Sequence, residues 1–353
     1  MILDPKKYQP KESKQSLKVE YQVCAVRFSP CGKVLASGSF DGSVRRWDSS
    51  GADPYPELPP LTGHNGWVQS LAFAPDKGRL FSADSWGRLS CWAYAEKESK
   101  PLWSIAQAHD GWVRKLVVSP DGQTIASCGM DRKVILWSTD KGEKRQELAG
   151  HDQDVFSLVF HPDGKALLTG DMHGVVRHFD LASAKKVRTF DAKVTYMYDR
   201  IQEVGGVRCL AFDAAGTTLV AAGCQPKGGG FVQGTPVMCF FDWATGKAKN
   251  TVKIGADTDG FVHDLAWHAD GFVMAVTSGQ PGTGKFLFQQ PDEAAPFFIV
   301  PKPNCHSLAV HPNGKRLIVA ATNGNSAGNG RPLKGNDYLG NFSPLLVWDM
   351  PKG

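Results

Sequence analysis

The chain has 353 residues, 42% hydrophobic and 21% charged, with a formal net charge of +5. That balance excludes a disordered or fibrous chain and leaves enough apolar surface for a large core. The charge is mildly basic, and without a long block of Lys or Arg it speaks against nucleic acid as a partner. No run of about 18 apolar residues could span a membrane. The first residues, MILDPKKYQPKESKQ, have no apolar core of a secretory signal. Eight cysteines are present, none in a C-x-x-C pair and most inside apolar runs. They read as reduced, buried thiols of a cytoplasmic protein, with no metal or cofactor implied.

In chain order, residues 1–14 are polar and Lys-rich and are expected to form a flexible N-terminal arm. Gln15 to Glu20 reads as a strand without an obvious partner. From there a pattern recurs: an apolar residue followed by x-Pro/Ala-x-Gly, at Phe28, Phe73, Val118, Phe160, Phe212, Trp267 and Val310. The spacings run from 42 to 55 residues, and repetition at such a period marks an array of similar units. The clearest copy spans His109 to Trp137. Val113 to Val118 is β-rich, Pro120-Asp121-Gly122 is a turn, Thr124 to Ser127 is a second strand, and Lys133 to Ser138 a third after a turn at Met130-Asp131. A short fourth run, such as Leu102 to Ala106 or Lys186 to Phe190, precedes the next copy.

Third strands end in Trp or Phe, often with Asp, as in Trp47-Asp48, Phe179-Asp180 and Trp348-Asp349. Together with Gly63-His64 and Gly150-His151, this pattern resembles the WD-repeat (G-β repeat) family, whose period is about 40–45 residues. The likeness runs from Gln15 to Met350. It implies an all-β fold: a seven-bladed β-propeller of four-stranded antiparallel blades, forming one domain over residues 15–353. It also implies a polar tetrad within a blade, which here falls on His109, Ser127, Asp131 and Trp137. A buried indole and imidazole need such partners. His, Asp and Ser together also mimic a hydrolase triad, but a Ser on an interior strand implies no oxyanion site. Other repeats depart from the pattern. Val19 stands where the first repeat needs His, Trp86 and His173 stand where the second and fourth need Asp, and the last three repeats show no tetrad. The seventh repeat runs out of chain before its outermost strand. The unpaired strand at Gln15 to Glu20 is expected to supply it, closing the ring without an open edge.

Three further features invite a function. Gly279 to Lys285 matches G-x-x-x-x-G-K, but Phe286 stands where a phosphate loop needs Ser or Thr and a strand follows instead of a helix, so a hairpin is expected. His161, His268 and His311 occupy the same turn of different repeats, too far apart to share a metal. Two insertions, Gln225 to Pro236 and Asn323 to Pro344, are expected to be long loops between second and third strands.

Antiparallel neighbours alternate direction, so the loop before each inner strand shares a face with the loop after the second strand. That face collects Trp67, Trp112 and Phe261 with Phe40, Trp86, Met130 and Met172. Apolar residues at such turns suit a protein interface. The expected function is a non-enzymatic scaffold, a monomeric ring that joins a larger complex and binds other proteins there. The alternatives are an enzyme with its site at the central channel, for which no catalytic residues converge in the sequence, and a weak nucleic-acid-binding module.

Overall fold

The structure, a computed structural model, describes residues 3–51, 54–75, 78–96, 100–228, 233–280, 282–322 and 342–351, with the backbone of 333–334 and 337–338. Among these residues, seven four-stranded antiparallel sheets surround a central channel, each with its first strand innermost. Blade 3 is representative: Val113–Val118, Thr124–Gly129, Val134–Ser138 and Lys144–Leu148 lie in that order from the channel outward. Its first turn closes where Gly122, at φ 68°, donates its N–H to Ser119 O at 2.8 Å, a backbone conformation that glycine adopts without cost.

The burial pattern follows from the stacking of blades. Second strands are covered on both faces, so Val34–Ser39 and Ala166–Asp171 are buried throughout and show no polar alternation. Outermost strands such as Lys144–Leu148 are mostly exposed. The core is a set of apolar layers between neighbouring blades. Phe81, Ala83 and Cys91 of blade 2, for example, meet Val113, Leu116, Ile125 and Trp137 of blade 3.

Polar staples tie the blades together as well. His311 Nε2 lies 3.1 Å from Gly32 O, and His161 Nε2 lies 3.0 Å from Gly216 O, so these two turn histidines bond the matching turn of the next blade. A Cβ on Gly32 would stand 2.5 Å from the His311 ring, so only glycine fits there. The fully buried Arg46 donates from blade 1 to the carbonyls of Tyr94 and Glu96 in blade 2, at 2.6 and 2.8 Å.

Blade 7 closes the ring with both ends of the chain. Ser307–Val310, Arg316–Ala320 and Ser343–Asp349 are completed by Lys11–Val19, which pairs Lys11 with Asp349 and Val19 with Ser343. Leu17 and Val19 are buried with Val23, Val26, Leu35 and Val347. The arm expected over residues 1–14 needs correction, because the strand already begins at Lys11. Before it, Tyr8 donates its hydroxyl to Asp270 Oδ2 at 2.8 Å and sets its ring edge-on to Phe272 at 5.0 Å. The charges at positions 11–14 belong to the solvent side of an outer strand, which composition cannot tell from a free arm.

Between blades 4 and 5 stands a hairpin that the repeat pattern did not foretell, Tyr196–Asp199 with Gln202–Gly205. The insertion expected at Gln225 to Pro236 is mostly strand. Thr218–Lys227 and Gln233–Asp242 stay paired as far as Lys227 and Gln233. Its Pro and Gly content suggests a loop, yet Cys224 pairs with Pro236 in the ladder. Most of Asn323 to Pro344 lies outside the described residues. Gly279 to Lys285 leads into the strand Gly284–Gln289, so no helix follows that glycine-rich turn. Among the described residues no helix is long and apolar enough to cross a membrane.

Candidate interaction surface at the channel mouth

Each inner strand is entered through a fully buried valine or cysteine: Val23, Val68, Val113, Val155, Val207, Val262 and Cys305. The residue after it is Cys24, Gln69, Arg114, Phe156, Arg208, His263 or His306, one per blade. All seven line one cavity of ≈ 500 Å³ at the mouth of the channel. In five blades this residue is the extra one of a register shift, as at Val113/Lys115 and Val262/Asp264. A bulge leaves one residue unpaired and re-aims its side chain, which here turns into the channel.

Several neighbours in this ring touch. Gln69 Nε2 donates to Cys24 Sγ at 3.6 Å. The Phe156 ring carries the Arg114 guanidinium at 5.3 Å and that of Arg208 at 3.8 Å. His263 and His306 are edge-on at 5.6 Å, and Gln22 Nε2 donates to His306 Nε2 at 3.2 Å. Deeper, Arg27 of blade 1 grips Asp264 of blade 6 with two N–H groups, at 2.6 and 3.1 Å. Ser307 Oγ and Leu308 N of blade 7 donate to the same carboxylate at 2.6 and 3.1 Å, so this network spans the closure.

The electrostatics follow from burial and neighbours. Burial alone would raise the Asp264 pKa, but Arg27, Lys115 and the hydrogen bonds hold it at about 2. Burial brings Arg208 down to about 10, still charged at neutral pH, and lowers Arg114. Burial also lowers His306 to about 4, so its ring is neutral and accepts from Gln22. His263 shifts the same way through its protein surroundings and then His306 and Arg208, although its edge is exposed to channel solvent. The Cys24 thiol is pushed up by burial. Its partner is Gln69 and not a base, an arrangement that does not activate a nucleophile.

The aromatic residues expected on this face are only partly brought together. Phe40 stacks on Trp67 at 4.1 Å and 1°, and Trp67 meets Trp112 edge-on at 5.4 Å. Arg114 lies over Trp112 at 4.6 Å. Phe261 joins from across the channel, under Arg208 at 5.0 Å. Trp86 stands apart at 69% exposed, against Gly66, with no ring partner among the described residues. Met130 is exposed, and Met172 is half-buried beside Gly206. Sequence reasoning chose the residue before the valine in three blades and overlooked the one after it. The signal was there at the same period: Val-Cys, Val-Gln, Val-Arg, Val-Phe, Val-Arg and Val-His.

Behind the rim, the structure joins His109, Ser127, Asp131 and Trp137. His109 Nδ1 is 2.9 Å from Asp131 Oδ1, His109 Nε2 is 2.6 Å from Ser127 Oγ, and the Trp137 indole donates to Ser127 Oγ at 2.8 Å. The carboxylate places the proton on Nδ1, so the serine hydroxyl donates to Nε2 and accepts from the indole. Ser127 is fully buried, which leaves no approach for a substrate. Burial would raise the Asp131 pKa, but the bond from His109 and the amides of Asp110 and Lys133 hold it low.

Blades 2 and 4 also carry the acid, against the expectation that Trp86 and His173 displace it. Asp84 Oδ2 lies 2.9 Å from His64 Nδ1, and Asp171 Oδ2 lies 3.2 Å from His151 Nδ1. The acid there comes two residues after the hydroxyl on Ser82 or Thr169, whereas Asp131 comes four after Ser127. Glycine explains the difference. Blade 3 has Gly129 at the nearer position, where a Cβ would stand 3.2 Å from His109 Nδ1, and this opening lets Asp131 reach in from the turn. In blade 1 the Ser37 hydroxyl has no partner among the described residues, consistent with Val19 in place of a histidine.

A family model for "WD domain, G-beta repeat" matches residues 12–48, 57–93, 99–138 and 142–180, which run from the strand that closes blade 7 to the third strand of blade 4. Among curated relatives, nuclear distribution protein nudF of Aspergillus terreus is 28% identical over 188 residues, 53% of this chain and 36% of that protein. The guanine nucleotide-binding protein subunit beta of Zea mays is 26% identical over 269 residues, 72% of this chain and 67% of that one. WD repeat and FYVE domain-containing protein 2 of Caenorhabditis elegans is 50% identical over 60 residues, 17% of this chain and 14% of its own. The chain thus spans 36–41% of the length of the nuclear distribution proteins that it matches.

Proposed function

We propose, from the premise that the chain belongs to the WD-repeat family, that it is a non-enzymatic scaffold that binds partner proteins on the rim formed by Phe40, Trp67 and Trp112. The observation that carries this reading is the aromatic chain itself. Trp67 remains 38% exposed while stacked between two other rings, a rigid apolar ledge beside a polar channel. Exposed aromatics on a preorganised support are the usual anchors of protein interfaces. One of the relatives supports the reading by analogy, since a guanine nucleotide-binding protein subunit beta is by name a member of an assembly. Cytoplasmic residence belongs to the same proposal and rests on eight free thiols, most of them buried.

The test is the double variant Trp67→Ala/Trp112→Ala. It removes two ring pairs worth about 0.5–1.5 kcal/mol each, so a stability loss of about 1–3 kcal/mol is expected. Partners captured by the wild type should be lost, at about 2 kcal/mol or more per anchor. A loss of about 3–5 kcal/mol of stability per tryptophan would mark them as core covers instead. Unchanged capture by a well-folded variant would refute the rim.

A further inference from the structure

The channel mouth holds more positive charge than its own carboxylates balance. Arg27, Arg114, Lys115 and Arg208 line it, and Arg27 is paired with Asp264. Asp154 lies near enough to feel Arg114 and Arg208 but makes no hydrogen bond or ion pair with either among the described residues. Counting Asp154 and Asp264, the group carries an excess of two positive charges.

Three of these cations, Arg114, Lys115 and Arg208, have no acceptor among the described residues, and the Nε atoms of both arginines are buried without a partner. Folded proteins leave few buried donors unsatisfied without a reason. Both guanidiniums are nonetheless held in place, sharing the Phe156 ring at 5.3 and 3.8 Å, with Trp112 and Phe261 flanking them at 4.6 and 5.0 Å. Arginines stacked on aromatic faces keep their N–H forks free and ordered, which suits bidentate recognition of an oxyanion.

We propose that this mouth is a phosphoryl-binding site: Arg114 and Arg208, with Lys115, take the phosphate group of a phosphorylated segment of a partner protein whose flanking residues lie on Trp67 and Trp112. The proposal rests on the rim reading above for the flanking residues but not for the phosphate. A carboxylate would cancel only one of the two excess charges. A phosphate monoester, near −2 at neutral pH with three acceptor oxygens, cancels both. The cavity of ≈ 500 Å³ has room for such a group with its side chain. Attachment to a protein follows from the apolar ledge beside the cations, which a free phosphate would not use.

The experiment titrates the full chain, at fixed ionic strength, with inorganic phosphate and with three degenerate peptide libraries that carry phosphoserine, aspartate or serine at one fixed position. Phosphoserine peptides should bind at least tenfold more tightly than the other two libraries and than inorganic phosphate. Arg114→Gln/Arg208→Gln should lose at least tenfold of that binding. Arg114→Lys/Arg208→Lys, which keeps the charge without the fork and guards against a misfolded Gln variant, should also lose several-fold. Equal binding of the aspartate and phosphoserine libraries would overturn the phosphoryl assignment. Inorganic phosphate binding as tightly as the peptides would overturn the protein source. Full binding by folded Gln variants would overturn the site. Trp67→Ala, which removes no ring in contact with a guanidinium, should weaken the peptides but leave inorganic phosphate unchanged. Phosphate binding that survives there with partner capture intact condemns the rim alone. Capture lost there without phosphoserine selectivity in the wild type condemns only this inference.

Discussion

Closure by the N-terminal strand makes the seventh blade the place where the ring can be opened with least chemistry. Leu17 and Val19 are the two residues of that strand turned fully inward, 7% and 0% exposed. Leu→Ala in a core costs about 2–5 kcal/mol. Val→Ala removes two carbons, about 1.6 kcal/mol at about 0.8 kcal/mol per group, before any cavity is counted. Leu17→Ala/Val19→Ala should therefore lose about 4–7 kcal/mol, a large share of the roughly 5–15 kcal/mol of a typical domain. Deleting residues 1–20 adds the loss of the backbone ladder with Ser343–Asp349 and of the Glu12–Lys302 ion pair at 2.5 Å. That form should be insoluble or melt far below wild type. A synthetic peptide of residues 10–20 supplied in trans should raise its melting temperature in a dose-dependent way. Deleting residues 1–9 should cost only about 1–2 kcal/mol, because what goes is the Tyr8 contact with Phe272 and Asp270. Urea unfolding followed by tryptophan fluorescence measures all four forms. A double alanine variant within 1 kcal/mol of wild type would refute closure as the source of stability.

Further outcomes can be checked on the same protein. His109→Ala and Asp131→Ala should each cost about 1–3 kcal/mol, and together less than their sum, since each leaves the other's buried partner unsatisfied; strict additivity would show that the pair is not coupled. His306, with its folded pKa lowered to about 4, binds its proton less readily folded than unfolded. Its contribution is complete above about pH 6.5 and is lost as the pH falls towards 4, by about 1–3 kcal/mol, and His306→Gln should flatten that slope in urea titrations across the range. At the tip of the added hairpin, Arg200 and Ile201 have φ of 49° and 65°, and Ile201 is 88% exposed. Arg200→Asn/Ile201→Gly should stabilise by about 1–2 kcal/mol, since this two-residue turn favours Asn-Gly; calorimetry showing no gain would mean that the left-handed conformation carries little strain.

Much of the architecture could be read from the chain because its signals are local and repeated. Valine-rich strands, Pro-Asp-Gly turns and terminal tryptophans recur often enough to count seven blades and to see that one lacked a strand. What escaped reading depends on neighbours in space. The acids of blades 2 and 4 sit at a different spacing from Asp131, and only the room left by Gly129 shows that the two spacings reach the same imidazole nitrogen. The hairpin at Tyr196–Gly205 hid because its turn is Arg-Ile, against every preference for that conformation. The channel cations went unremarked because a polar residue after a valine looks like ordinary strand alternation. The bulge that turns it into the channel is a property of the pairing and not of the residue.

The pairing of Val19 with Ser343 also sets a schedule for biosynthesis. The first strand of the domain leaves the ribosome about 320 residues before its only ladder partner, which at about 5–20 residues per second is roughly 15–65 s. Throughout that interval it is an edge waiting in a crowded cell. Its Lys11 and Lys14 are exposed in the finished ring and add little to its packing. Charge along an unpaired edge discourages other strands from adding to it. The solvent face of this strand thus serves the nascent chain more than the folded one, and neutral substitutions at these two lysines should lower soluble yield during synthesis while leaving the melting of purified protein unchanged.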